Sequence, residues 1–282
     1  MVTLSALYTN VKYMLSKGGI ENNRLEAQQL IRFVTGFTRS GIAAVPETLI
    51  SEEHVRRMSA LVEKRINGYP LQYILGVWEF FGYEFSVGEG VLIPRADTET
   101  LVEAALEQLN GCEAPVIFDL CSGSGCIAVT LDKELPCADI TAVELMPEAA
   151  RYLTENIRRH NSSVKYLCGD VLDRTFAERF SQLDCIVSNP PYLSSEDMAS
   201  LQREVSREPE SALFGGSDGL DFYRAMTPVW RGALKSGGCI LYEAGDGQHD
   251  SVAEILDKCG FRDILMKKDL AGIVRVIGGK MP

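Results

Sequence analysis

The chain has 282 residues, 46% hydrophobic and 24% charged, the balance of a folded globular protein with room for one large domain or two modest ones. Its formal net charge of −11 argues against a partner gripped chiefly through phosphates, and no apolar run approaches the ~18 residues of a membrane span. Eight cysteines occur with no C-x-x-C spacing, so neither a zinc site nor a small disulfide scaffold is indicated and no metal is expected.

Residues 1–75 read as a helical bundle. Leu4 to Leu15 and Glu26 to Val34 are amphipathic. Ser51-Glu52-Glu53 opens a further helix whose apolar positions Val55, Met58, Leu61, Val62 and Ile66 fall three or four apart, and Asn67-Gly68 ends it. These stripes predict a bundle core whose outer surface is available to a macromolecular partner. The N-terminus lacks the basic-then-apolar order of a signal peptide, which with the unpaired cysteines predicts a cytoplasmic setting. Residues 76–95 are expected to be a linker in which Trp78–Phe85 pairs with Val87–Ile93 as a β-hairpin. A helix is expected from Thr98 to Leu109.

From Pro115 onward strands and helices alternate. The predicted strands are Val116–Leu120, Ile140–Glu144, Val164–Cys168, Leu183–Ser188 and Cys239–Glu243, with an antiparallel pair over Phe261–Lys268 and Ile273–Ile277. Residues 96–282 are therefore expected to form an α/β domain, a mostly parallel sheet with helices on both faces. Ligands in such sheets bind beyond the carboxyl ends of strands where strand order reverses.

Two strand ends carry unusual turns. Val116–Leu120 runs into Cys121-Ser122-Gly123-Ser124-Gly125 and then a helix. Gly123 and Gly125 are expected to let the backbone approach a ligand, and the helix N-terminus offers unpaired N–H groups to an anion. Gly123, Gly125 and Ala128 fit G-x-G-x-x-[GA], and Glu144 lies 21 residues after Gly123 at the next strand end, where an acid binds a ribose hydroxyl pair. That order suits a dinucleotide or S-adenosylmethionine, whose ammonium Asp119 would accept.

Leu183–Ser188 runs into Asn189-Pro190-Pro191-Tyr192. Two prolines fix φ and donate no N–H. The Asn189 Oδ1 and the Pro190 carbonyl can hold both hydrogens of a planar –NH2 while Tyr192 covers a flat face. Hydride transfer has no use for such a grip, which disfavours an NAD-binding or non-catalytic reading. Methyl transfer to a planar nitrogen does, with S-adenosylmethionine as donor and S-adenosylhomocysteine as product. If the two strands are neighbours, both turns face one crevice. His54, His160 and His249 lie outside these motifs and read as structural or surface residues.

Further segments agree. Tyr69-Pro70-Leu71-Gln72-Tyr73-Ile74-Leu75-Gly76, Trp78-Glu79-Phe80-Phe81-Gly82, Leu92-Ile93-Pro94-Arg95-Ala96-Asp97-Thr98-Glu99, Glu208-Pro209, Gly215-Gly216, Asp218-Gly219-Leu220, Glu243-Ala244-Gly245 with Gln248, and Lys268-Asp269-Leu270-Ala271-Gly272 with Arg275 form a set that resembles the HemK/PrmC family of protein-(glutamine-N5) methyltransferases. The resemblance implies a Rossmann-like, seven-stranded class I S-adenosylmethionine-dependent methyltransferase domain behind a small helical recognition domain. It implies a monomer that methylates the glutamine of the GGQ motif in class I peptide-chain release factors, in support of translation termination. It also implies that Asp119, Cys121, Ser122, Gly123, Ser124, Gly125, Glu144, Asp170, Val171 and Asn189 hold the donor. Asn189, Pro190, Pro191 and Tyr192 would hold the glutamine, with Asn189, Pro190 and Tyr192 catalytic. Many members have Gly-Thr in place of Cys121-Ser122 and Asp in place of Glu144, and some carry an aromatic in place of Val171. Nucleic-acid amine methyltransferases share the Asn-Pro-Pro-aromatic chemistry, but the acidic charge and the lack of a basic or aromatic-rich insert disfavour that alternative. A ribosomal-protein glutamine is the other alternative substrate.

Overall fold

The computed structural model describes residues 2–282, and the chain divides into two units. The first runs to Gly76 and takes in Gln202–Arg207. It contains β1 (Val2–Thr3), α1 (Leu4–Lys17), α2 (Asn23–Thr35), α3 (Arg39–Ala44), β2 (Leu49–Ile50), α4 (Glu52–Ile66) and α5 (Leu71–Leu75). Helix α4 starts where the Ser51 hydroxyl accepts the His54 N–H at 3.2 Å; Glu52 and Glu53 occupy its first turn and Lys64 and Arg65 its last, as the helix dipole favours. Leu4, Leu7, Val11 and Leu15 of α1 bury against Leu30, Ile31 and Val34 of α2 and Met58 and Val62 of α4. Beside this core Arg65 is itself buried, donating from Nε to Glu26 at 2.6 Å and from Nη1 to Glu204 at 2.7 Å. That second partner helps bind Gln202–Arg207 into the first unit.

The second unit opens with β3 (Val77–Phe80) and β4 (Tyr83–Ser86). The predicted hairpin is thus displaced: both strands fall within the first of the two segments expected to pair. Phe81 at φ 53° and Gly82 at φ 77° make a two-residue turn in the left-handed region, and a phenylalanine there hides the usual Asn-Gly or Asp-Gly signature. Val87–Ile93 is no strand. Val87 and Val91 pack instead on Ala149 and Tyr152, and a Cβ at Gly88 or Gly90 would collide with Tyr152 or Glu148.

Beyond α6 (Glu99–Gln108) come β5 (Val116–Leu120), α7 (Cys126–Glu134), β6 (Asp139–Glu144), α8 (Pro147–Arg159), β7 (Lys165–Cys168), α9 (Arg174–Ala177), β8 (Leu183–Ser188), α10 (Ser195–Ala199), α11 (Asp221–Trp230), β9 (Leu234–Glu243), α12 (His249–Lys258), β10 (Arg262–Lys268) and β11 (Val274–Lys280). The seven strands from β5 to β11 form one sheet in the order β10-β11-β9-β8-β5-β6-β7, parallel except for β11, which runs antiparallel to both its neighbours. Alternate residues feed opposite faces. Ile117, Cys185 and Val187 join α6, α7 and α8 in one core, while Phe118, Leu120 and Ile186 join α11 and α12 in the other. The chain proceeds outward from β5 through β6 to β7 and then returns to place β8 on the opposite side of β5. That reversal creates the crevice.

Candidate active site

β5 and β8 pair in parallel with Leu120 opposite Ser188, so both strands end at one level and their turns leave the sheet side by side. A cavity of about 270 Å³ opens over them, lined among others by Cys121, Ser122, Gly123, Ser124, Glu144, Asp170, Val171, Asn189 and Pro191. Asp119, Gly125, Pro190 and Tyr192 adjoin these lining residues in the two turns.

The turn after β5 is left-handed at Cys121 (φ 62°), Gly123 (φ 55°) and Gly125 (φ 78°). The Ser122 hydroxyl pins it by donating to the Asp119 carbonyl at 2.7 Å. The two glycines have different reasons to be glycine. A Cβ on Gly123 would meet no protein atom within 4 Å and would enter the cavity, whereas a Cβ on Gly125 would collide with Leu153 of α8. Gly125, at the start of α7, thus has a packing reason to be glycine in addition to its left-handed backbone.

Glu144 accepts the Gly123 N–H through Oε2 and the Met146 N–H through Oε1, each at 2.8 Å. Each carboxylate oxygen retains a second acceptor site for a ligand hydroxyl. Leu145, Met146 and Leu172 expose apolar side chains at the same wall. The Asp170 Oδ1 accepts the Leu172 N–H at 2.8 Å, and the Val171 carbonyl accepts the Trp230 indole N–H at 2.8 Å, so both cavity residues are held from behind. Asp119 is wholly buried beneath the turn. Its Oδ2 accepts the Ala128 N–H at 3.2 Å and its Oδ1 has no partner. Burial raises its carboxyl to about 8, and the neighbouring Glu144 charge adds to the shift.

On the other side, Asn189 Nδ2 donates to Thr98 Oγ1 at 3.2 Å, which leaves Oδ1 as the amide's remaining hydrogen-bonding end. Tyr192 packs against the core that contains α11, and its burial pushes the phenol well up. The ring thereby anchors the turn to that core. The Tyr192 carbonyl accepts from Gln248 Nε2 at 2.9 Å, and Gln248 Oε1 accepts the Gly245 N–H at 2.9 Å. A Cβ on Gly215 would stand 2.5 Å from the Pro191 carbonyl oxygen. The glycine-rich segment after the turn is therefore close packing around Pro191 and Tyr192.

Sequence reasoning passed over the segment before α6 as a source of site residues. Arg95 pairs with Glu208, Asp97 with Arg275 at 3.1 Å, Thr98 with Asn189, and Glu99 accepts the Phe81 N–H at 2.8 Å. Four polar residues among the five from Arg95 to Glu99, at the entrance to an amphipathic helix, exceed what a cap requires, and that was the available signal. Glu243 was also missed. It is almost fully buried at the end of β9, and burial raises its carboxyl to about 7 against the opposing influence of Thr98 and Arg275.

The PrmC N-terminal domain family matches residues 6–76, and the methyltransferase small domain family matches residues 96–216. Release factor glutamine methyltransferases of Geobacter sulfurreducens and Clostridium botulinum are 41% and 39% identical to this chain, over 95% and 94% of it and 93% and 94% of their own lengths. Among solved structures, the hMettl16 catalytic domain in complex with MAT2A 3′UTR hairpin 6 aligns with a TM-score of 0.58 at 14% identity, over 82% of this chain and 83% of that one. A methyltransferase from Pyrococcus furiosus aligns with a TM-score of 0.52 at 18% identity, over 80% and 97%. These two share the class I methyltransferase fold with the second unit's seven-stranded sheet. At such identity over nearly the whole length, the chain belongs to the release factor glutamine methyltransferase family.

Proposed function

We propose that this protein transfers a methyl group from S-adenosylmethionine to the side-chain amide nitrogen (N5) of the glutamine in the GGQ motif of class I peptide-chain release factors, supporting translation termination. The observation that carries this reading is the sharing of one cavity by the glycine turn and the Asn189 turn at the paired ends of β5 and β8.

The residues present fit the donor. Gly123 leaves room where any side chain would intrude, Glu144 offers acceptor sites to a ribose diol, and Leu145, Met146, Val171 and Leu172 offer apolar surface to a flat base. Cys121, Ser122 and Ser124 line the cavity where the amino-acid end would lie, with Asp170 beside Val171. The unpartnered Oδ1 of Asp119 adds a buried acceptor beneath the turn. When bound, S-adenosylmethionine supplies an electrophilic methyl on a sulfonium.

The protein's task is to present the acceptor. An amide nitrogen is a poor nucleophile because its lone pair is delocalised into the carbonyl. Asn189 Oδ1 takes one N–H and the Pro190 carbonyl the other, while Pro191 and Tyr192 keep the turn rigid. This grip orients the nitrogen and stabilises the positive charge that grows on it. Orientation can supply ~7–11 kcal/mol in favourable cases, and acceptors fixed in advance add to it. The nitrogen sheds a proton to water afterwards, so no general base is required. Residues 1–75 supply the docking surface for the release factor, and the enzyme acts as a cytoplasmic monomer.

Incubation with methyl-labelled donor tests the assignment. Label should enter an intact class I release factor at its GGQ glutamine, and should enter neither duplex DNA nor ribosomal proteins at a comparable rate. Label in DNA or a ribosomal protein, with none in release factor, would overturn it.

A further inference from the structure

We infer that Leu270, at the tip of the β10–β11 hairpin, is an apolar contact for the release factor, meeting the protein surface that surrounds the acceptor glutamine; the inference rests on the reading of this chain as acting on release factor. In register, Ser188 of β8 lies beside Tyr242 of β9, and Tyr242 beside Ile277 of β11. At that level β8 gives way to Asn189. The hairpin runs on past it from Ile277 to Val274, a further ~10 Å at about 3.3 Å per residue, and only then turns. The tip therefore stands beyond the carboxyl ends of the parallel strands, at the end of the sheet where the cavity opens. The strand order β11-β9-β8-β5-β6 puts it on the Asn189 side of the crevice, away from the side that carries Gly123 and Glu144.

The tip is also held rigid and tied to that rim. The Asp269 side chain is 4% exposed; its Oδ1 accepts the Ala271 and Ile273 N–H groups at 2.8 and 2.9 Å, and its Oδ2 accepts from Arg275 Nε at 3.0 Å. Arg275 reaches on through Nη2 to Asp97 at 3.1 Å, one residue before the cavity-lining Thr98. Within this frame Leu270 is fully exposed to water. A lone exposed leucine is ordinary on a protein surface. This one is set apart by the hydrogen bonds and ion pairs that fix it beside the acceptor side of the cavity. Leu145, Met146 and Leu172, also exposed, line the cavity and have the donor's base to cover them, whereas Leu270 lies outside that lining. A glutamine carried by a folded protein reaches Asn189 by bringing the surface around it down on this end of the sheet. A contact already held in place loses little conformational freedom when that surface arrives, so its burial goes into affinity.

The test uses the full chain with intact release factor. Leu270→Ser should raise KM for release factor by about tenfold, the scale of uncovering one leucine side chain. It should leave kcat at saturating release factor, donor affinity by calorimetry and the unfolding midpoint near parental, because the side chain is exposed and outside the cavity lining. Leu270→Met keeps an apolar side chain of similar volume and should stay within about twofold of the parent. A parental KM in Leu270→Ser, or a Leu270→Met as weak as Leu270→Ser, would overturn the contact. A loss of donor affinity in Leu270→Ser would overturn it in favour of a place in the donor site. Sedimentation showing a dimer of the parent that Leu270→Ser dissolves would overturn it in favour of a second copy of this chain. Failure of the parental enzyme to methylate release factor would instead strike the assignment of function.

Discussion

The turn after β5 holds its shape with left-handed backbone at Cys121, Gly123 and Gly125, whereas the turn after β8 has no residue at positive φ and is stiffened by Pro190 and Pro191. The first surrounds its ligand with main chain and tolerates little side chain. The second offers one side chain, Asn189, hydrogen-bonded to Thr98 in the same cavity wall. One side of the cavity is thus specified by what is missing from the residues, the other by what one residue carries. Substitutions in the first should act on binding or folding, and substitutions in the second on the rate of transfer.

The largest expected effect separates the two glycines. Gly123→Val projects a side chain into the cavity and should abolish donor binding in calorimetry, a loss of at least about 10²-fold, while the chain still unfolds cooperatively. Gly125→Ala meets Leu153 at positive φ and should cost stability instead, ~1–3 kcal/mol from overpacking. If Gly125→Ala kept its stability and Gly123→Val still bound the donor, the division of labour between them would be wrong.

A smaller effect sharpens the contrast between the turns. Cys121 occupies φ 62°, a region that costs a side-chain-bearing residue ~1–2 kcal/mol. Part of that gain is returned as unfolded-state entropy when glycine is introduced. Cys121→Gly should therefore leave stability unchanged or raise it by up to ~1 kcal/mol. Pro191→Gly should lower it by about 1 kcal/mol through the entropy of the unfolded chain. Denaturant midpoints moving in the same direction for both would erase the distinction.

The sheet was legible because buried parallel strands are continuous apolar runs closed by turn residues. Val116–Leu120 and Leu183–Ser188 have the bounds predicted for them, and they carry the site. Features set by distant partners were not legible. Arg65 meets Glu204 across 139 residues and Asn189 meets Thr98 across 91, and no periodicity records such pairs. The hairpin was misplaced because Phe81 sits where glycine or asparagine usually signals the turn. Gly123 and Gly125 are the same letter in the same motif, and only the position of Leu153 tells them apart.

The central claim is that Asn189 orients the acceptor amide, and single-turnover transfer to release factor glutamine by Asn189→Ala and Asn189→Asp tests it most directly. Asn189→Ala removes one of two grips and should slow transfer by ~10²-fold, the scale of a misplaced acceptor, with donor affinity and unfolding midpoint close to parental. Asn189→Asp keeps shape and acceptor but sets a charge where the donor's positive charge must disperse in the transition state. It should bind donor at least as tightly as the parent and still transfer slowly. Transfer at the parental rate by either variant would contradict the account.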